Sequence, residues 1–181
     1  MGYGWKGERV QLVPLDREKH LENFLRWFND PDVLRFLGVP TMPMTRESEL
    51  AWFDIAPTDR EIRFAVETLE GEHIGSTSLF RIDWPNRTAY AGTVLGPEHW
   101  SMGYGSDVVR VRSAYAFQEL NLRVLFSSWF EGNFASGRML EKVGFLPCGC
   151  LPKIAWKNGQ YRDENIVYLT RESWESTQVK A

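Results

Sequence analysis

The chain has 181 residues, 43% of them hydrophobic, with 21 basic and 24 acidic side chains and a net charge of −3. That length suffices to bury about two-thirds of the unfolded surface in one core. The near balance of charge, without blocks of one sign, excludes an electrostatic footprint for nucleic acid or an anionic membrane.

No apolar run approaches the ~20 residues that span a bilayer, and Met1 to Val10 lack the apolar stretch of a signal peptide. A single cytoplasmic domain over residues 1–181 is expected. Cys148 and Cys150 are the two cysteines, too few for a disulfide framework. With only three histidines elsewhere, their C-x-C spacing makes no zinc site, so no metal is expected and both are read as small core residues.

In chain order, ERVQLVPL (Glu8 to Leu15) alternates Val10 and Leu12 and breaks at Pro14, the pattern of a first strand near a sheet edge. Asp16 can cap a helix in which Leu21, Phe24, Leu25 and Phe28 recur at helical spacing, ending by Asn29-Asp30-Pro31. A short helical piece follows over Asp32 to Phe36. Thr45 is placed to cap a second helix that carries Leu50 and Phe53 and is closed by Pro57.

From Arg63 the period changes to two. RFAVETL, HIGSTSLFRI and RTAYAGTVL are separated by turns at Glu70-Gly71-Glu72 and Trp84-Pro85-Asn86, an antiparallel meander. Gly75 and Gly92 inside these strands predict a bulge or a close backbone approach. The third strand ends at Leu95-Gly96-Pro97, and a polar, glycine-containing loop leads into a helix over Ser106 to Leu120. That helix has two apolar rows, Val108 with Val111 and Tyr115, and Val109 with Ala116 and Leu120, so it is covered on two sides.

RVLFSSWF (Arg123 to Phe130) reads as a buried strand. Asn133 caps a helix that Gly144 closes, and this strand-helix alternation means a crossover with parallel pairing. Leu151 to Trp156 and Tyr161 to Leu169 then flank Lys157-Asn158-Gly159-Gln160, a hairpin signalled by Asn-Gly. The remaining C-terminal residues are expected to fray.

Gly103 and Gly105 flank Tyr104 at a helix start, where unpaired N–H groups converge on a space that suits a phosphate. A dinucleotide fingerprint would want a third glycine where Val108 stands, and a nucleoside-triphosphate loop would want Gly-Lys-Ser/Thr; neither is present. The ordered set of a strand ending in Leu-Gly-Pro-Glu, then WSMGYGSD, YAFQELNL and EGNFASGRMLEKVGF resembles the GNAT N-acetyltransferases. Within them it is most similar to the branch that acetylates the N-termini of ribosomal proteins (RimJ/RimL type), from about Gly7 to the final hairpin.

The resemblance implies an α/β (α+β) GNAT fold, with a mixed, mostly antiparallel sheet of about seven strands, helices on both faces and a splay between the fourth and fifth strands. It implies acetyl-CoA as co-substrate, the pyrophosphate lying on the amides of Ser101, Met102, Gly103, Tyr104, Gly105 and Ser106. The pantetheine arm would run along Thr93, Val94 and Leu95 like an added strand. Asn133 and Ser136 are the implied catalytic groups at the acyl end and also face the cofactor, with the Ser136 hydroxyl donating to the departing thiolate.

Trp100 and Met102 stand where the family's loop carries polar or basic residues, and Leu140 replaces a tyrosine that protonates the leaving group in many members. The resemblance therefore leaves the general base among Glu98, His99, Glu131, Asp163 or a water relay. Direct transfer to a primary amine in a ternary complex is expected. The acceptor is expected to be an α-amino group of a peptide or amino acid, lying between Trp27, Trp52, Trp156 and Tyr161 and beside Asp163 and Glu164. A small amine such as an antibiotic or polyamine is the alternative acceptor, and a CoA-binding sensor without turnover the alternative class. The partners expected are the amine and a second copy of the chain in a homodimer, with no nucleic acid and no membrane.

Overall fold

The computed structural model describes residues 5–39, 41–55 and 58–178. The elements are β1 (Val10–Val13), α1 (Arg17–Trp27), α2 (Pro31–Leu34), α3 (Arg46–Phe53), β2 (Glu61–Thr68), β3 (His73–Asp83) and β4 (Thr88–Leu95). They continue with α4 (Tyr104–Ala114), β5 (Val124–Phe130), α5 (Phe134–Val143), β6 (Leu146–Lys157), β7 (Gln160–Thr170) and α6 (Arg171–Gln178). The strands form one seven-stranded sheet in the order β1-β2-β3-β4-β5-β7-β6. Among the described residues only β4 and β5 run parallel.

Local signals account for most element ends. The Asp16 carboxylate accepts from the N–H groups of Glu18 and Lys19 at 2.8 and 3.2 Å, and Thr45 Oγ1 accepts from Ser48 N–H at 3.1 Å. Each supplies a partner to an orphan first-turn donor. The short second helix starts one residue earlier than its hydrophobic pattern suggests, because Pro31 fits the first helical position and Asp30 caps it. The expected closure by Pro57 lies outside the described residues.

The helix α4 divides the core. Val108 and Val111 pack with Val10, Leu12, Phe64 and Ile74, whereas Val109 and Ala116 pack with Leu79, Leu125, Leu140 and Leu169. Its end widens into a π turn over Tyr115–Glu119, where a continuous α-helix to Leu120 was expected. The opposite sheet face is covered near β2 and β3 by α1 and α3. There Phe24 packs on Trp52 and Phe53, and the Arg63 guanidinium lies 4.8 Å over the Trp52 ring.

Several expectations are corrected. Cys148 and Cys150 are exposed, because β6 is an edge strand with nearly all of its residues open to solvent. Gly75 meets the expectation: the β2–β3 register shifts beside it, and a Cβ there would overlap the Val94 carbonyl oxygen. Gly92 does not; its pairing with Ser78 is regular and a Cβ would only touch Phe80 at 3.5 Å. The C-terminal residues do not simply fray but form α6, held by Trp174, which is buried against Phe117 at a centroid distance of 5.4 Å.

All three histidines of the chain gather between α1, the start of β3 and the turn after β4. Asp16 N–H donates to His20 Nδ1 at 2.9 Å, leaving His20 Nε2 to donate to Glu67 Oε1 at 3.2 Å. His73 stacks 4.3 Å from the His20 ring and its Nε2 bonds the Gly75 carbonyl at 2.9 Å. Burial, then the neighbouring His20, pushes His73 from its ordinary 6.5 down to about 4. A histidine that resists protonation only when folded stabilises fully above its unfolded pKa and loses that advantage as pH falls toward the folded one. Wild-type stability should therefore drop between pH 6.5 and 4. The His73 share is up to about 3 kcal/mol. Urea unfolding across that window checks this: a His73→Gln variant should show a shallower pH dependence, and parallel curves would refute the assignment.

Candidate active site

The parallel pair closes only at Thr88↔Val124, Ala89↔Leu125 and Tyr90↔Phe126. Beyond Tyr90 the strands part, and at the apex the Ser127 hydroxyl donates to the Ala91 carbonyl at 2.9 Å, a side chain standing in for the lost backbone donor. By strand alternation the backbone groups of Thr93 and Leu95 face the gap. Those of Val94 and Gly96 face β3, where Gly96 N–H donates to Ile74 O at 3.0 Å. The Leu95 carbonyl already accepts from Trp100 Nε1 at 2.8 Å. Of Thr93, Val94 and Leu95, the free strand edge therefore consists of Thr93 and the Leu95 N–H.

Next along the chain, Ser101 (φ 63°) and Gly103 (φ 86°) both take the left-handed conformation, which folds the loop back so that Gly103 becomes the N-cap of α4. No side chain caps this end. The amides of Tyr104, Gly105 and Ser106 thus form an open cluster of donors at the positive end of the helix dipole. The two glycines have different causes. A Cβ on Gly103 would point into open space, 3.9 Å from Arg9 Nη1, while one on Gly105 would press on Met139 Sδ at 2.6 Å. Gly105 thus lets α4 approach α5, and Gly103 shapes the cradle.

On α5, Asn133 Oδ1 accepts from Ser136 N–H at 3.3 Å, the cap expected of it. Ser136 Oγ has no partner among the described residues, and Leu140 is buried in the main core. Close packing of Gly137 on Trp129 holds this first turn against the β5 side of the gap.

The candidate bases are differently placed. Glu98 is engaged by Arg26 and by Trp27 Nε1 at 3.4 Å; partial burial opposes ionisation, but its own backbone N–H, then Trp27 and Arg26, lower its pKa on balance. His99 is buried beside Tyr104, and Glu131 is exposed. Asp163 accepts from the Lys153 amide at 2.9 Å and from the Cys150 thiol at 3.8 Å; desolvation, then the Asp163 charge and bond, raise the pKa of that thiol.

Glu164 sits elsewhere: it pairs in register with Phe130, and Ser128 Oγ donates to its Oε1 at 2.5 Å. Ser127 and Trp129 face the α4–α5 side, so Ser128, Phe130 and Glu164 face the other. On that side a Cβ on Gly38 would stand 4.0 Å from the Phe130 ring, and one on Gly132 would stand 3.7 Å from the Phe36 ring. Lys157, at the hairpin tip, buries its ammonium against the carbonyls of Val39 (2.6 Å) and Leu34 (3.4 Å), and burial lowers its pKa. The early helical segment and the final hairpin therefore meet, as expected of two walls. Among the four expected wall aromatics, Trp27 is buried under Gly96 and Trp52 is taken by Arg63, leaving Trp156 and Tyr161 exposed.

Two buried charges escaped the sequence reading. Arg112 is 1% exposed; its Nη1 donates to Thr93 Oγ1 (2.8 Å), Gly92 O (3.0 Å) and Thr77 Oγ1 (3.1 Å), and burial pushes it down to about 9. It fixes Thr93 from behind the free edge. Asp107, 3% exposed, accepts from the N–H groups of Arg9 (2.8 Å), Val10 (3.1 Å) and Glu8 (3.3 Å). Both follow helical spacing from apolar residues, Arg112 four after Val108 and Asp107 four before Val111, and that placement was the available signal.

An open concavity of about 550 Å³ lined by Asp16, His20 and Glu67 lies on the β1 side of the sheet, away from the splay. It presents neither the free strand edge nor the amide cluster. Among the described residues no group of three or more His, Cys, Asp or Glu could hold a metal, and no helix is long and apolar enough to cross a membrane.

The sequence profile of the acetyltransferase (GNAT) domain matches residues 9–146. YjcK of Bacillus subtilis, named a probable N-acetyltransferase, is 33% identical over 173 residues, covering 91% of this chain and 95% of its own. The spermidine N(1)-acetyltransferase of Escherichia coli (strain K12) is 30% identical over 156 residues, covering 85% and 82%. Among solved structures, spermidine N-acetyltransferase from Vibrio cholerae in complex with CoA and spermine superposes with a TM-score of 0.85 at 22% identity, covering 92% of this chain and 98% of that one. Nothing in these similarities is particular to the ribosomal-protein branch suggested by the motifs.

Proposed function

We propose that this chain, which belongs to the GNAT acetyltransferase family, moves the acetyl group of acetyl-CoA onto the primary amine of a small cationic acceptor. Acetyl-CoA supplies an activated thioester. The uncapped amides of the loop and the free edge of β4 fit it: residues Ser101 to Ser106 would hold its pyrophosphate, and Thr93 with the Leu95 N–H would pair its peptide-like arm. The Leu95 N–H also suits the thioester carbonyl, where negative charge grows as the amine attacks.

The acceptor nitrogen forms a bond to the carbonyl carbon, the C–S bond breaks, the thiolate takes a proton from Ser136 Oγ, and the proton that the attacking nitrogen sheds on becoming an amide restores that hydroxyl through water. The amine must first lose its own proton. Glu164, half-buried and oriented by Ser128, is the carboxylate on the acceptor side that can hold the incoming ammonium and receive that proton.

Glu164 in that position is the observation that carries the reading, and the docking of the 34–39 loop onto the hairpin through Lys157 favours a slim acceptor over a folded peptide. The two spermidine acetyltransferases among the relatives and structures support the same choice. A screen of thiol release with acetyl-CoA against spermidine, amino acids and peptides tests it. The polyamine should turn over fastest, and Glu164→Gln should raise the KM for the amine about tenfold or more with the KM for acetyl-CoA unchanged. Faster turnover of an unblocked peptide would return the acceptor to the α-amino class, and absence of thiol release with every acceptor would leave a CoA-binding sensor.

A further inference from the structure

We propose that Arg9 supplies the cation that holds a phosphate of the coenzyme, a role that rests on the acetyltransferase reading of the loop. The stretch from Gly96 to Ser106 contains no lysine or arginine. A dianionic or doubly charged phosphate group on backbone amides alone lacks the charge-assisted bonds that tighten such sites. The structure brings one from 93 positions away: Arg9 Nη1 donates to the Met102 carbonyl at 3.0 Å and lies 3.9 Å from where a Gly103 Cβ would stand. The Arg9 side chain is exposed, and its other guanidinium nitrogens bond nothing among the described residues. One nitrogen of the planar fork thus touches the loop next to Gly103, the N-cap of α4, while the others keep their donors free.

Its backbone is fixed by construction. The buried Asp107 carboxylate, in the first turn of α4, receives three successive N–H groups from Glu8 to Val10, and Gly7 is placed so closely that a Cβ would overlap that carboxylate. The segment leading into β1 is therefore pinned to the turn whose amides face the cradle, and Arg9 leaves it at the lip. A simple brace of the Met102 carbonyl would need only a donor; a phosphate ligand needs the charge.

Calorimetric titration of CoA into wild type, Arg9→Ala, Arg9→Gln and Arg9→Lys separates these, with thermal melts confirming that each is folded. Glutamine can still donate to Met102 O but carries no charge, and lysine keeps the charge as a point. We expect Arg9→Ala and Arg9→Gln to bind about tenfold or more weakly and with a smaller salt dependence, and Arg9→Lys to recover much of the loss. Dephospho-CoA identifies the group: a loss that persists assigns the pyrophosphate, a loss that vanishes the 3′-phosphate, and both support the proposal. Wild-type affinity in folded Arg9→Gln or Arg9→Ala would overturn it and leave the acetyltransferase reading standing. Failure of wild type to bind CoA would overturn both.

Discussion

Gly103→Trp is expected to lower acetyl-CoA affinity about 100-fold or more while leaving the protein folded, because the new side chain occupies the phosphate cradle and nothing else. At φ 86° the position is one that glycine adopts freely. A side chain there costs about 1–2 kcal/mol of backbone strain, a modest fraction of a domain's stability. The space beyond is open, with Arg9 Nη1 at 3.9 Å the nearest atom. The indole would then lie over the amides of Tyr104 to Ser106, which no side chain caps. Gly105 is the wrong place for this experiment, since its substituent would run into Met139 and separate α4 from α5. Calorimetry with acetyl-CoA beside a thermal melt reads both halves of the expectation, and unchanged affinity in a folded variant would show that the cofactor's phosphates lie elsewhere.

Ser136→Ala should reduce turnover about 10- to 1000-fold with little change in acetyl-CoA affinity, a range from a partly water-replaced acid to a fully used one. The geometry makes the variant clean. Asn133 caps α5 through the backbone N–H of Ser136, at 3.3 Å, so removing the hydroxyl leaves the cap intact. The hydroxyl itself has no partner among the described residues, and it sits in the first helical turn, where the dipole favours a developing thiolate. Leu140, in place of a tyrosine, is 2% exposed and offers no substitute acid. Single-turnover thiol release isolates the chemical step; an unchanged rate there would reduce Ser136 to a helix-surface residue.

The elements that the sequence made legible are those whose causes are local. Asp16, Thr45 and Asn133 each satisfy an N–H within three residues, and the apolar rows of α4 segregate into two cores because side chains at helical spacing share a face. Period-two alternation likewise marked β2, β3 and β4. The same local logic misjudged Cys148 and Cys150, since burial of an apolar strand depends on whether a neighbour covers it, and β6 is at the sheet edge.

By itself the sequence determined the GNAT family, the glycine turn that opens α4, the cap of α5 and the crossover that makes one strand pair parallel, all carried by residues close together in the chain. Only the tertiary structure decided which edge groups of β4 are free, that Arg112 secures Thr93, and that Ser128 Oγ donates to Glu164 on the sheet face opposite α4 and α5. Likewise, Lys157 closes the early loop from 118 positions away, and Arg9 stands over a loop 93 positions distant. The physical reason is that a charged side chain's partner is set by strand order and by the face on which each residue falls. In a seven-stranded sheet whose first and sixth strands form the edges, those relations are made by long-range pairing that no short stretch of the chain records.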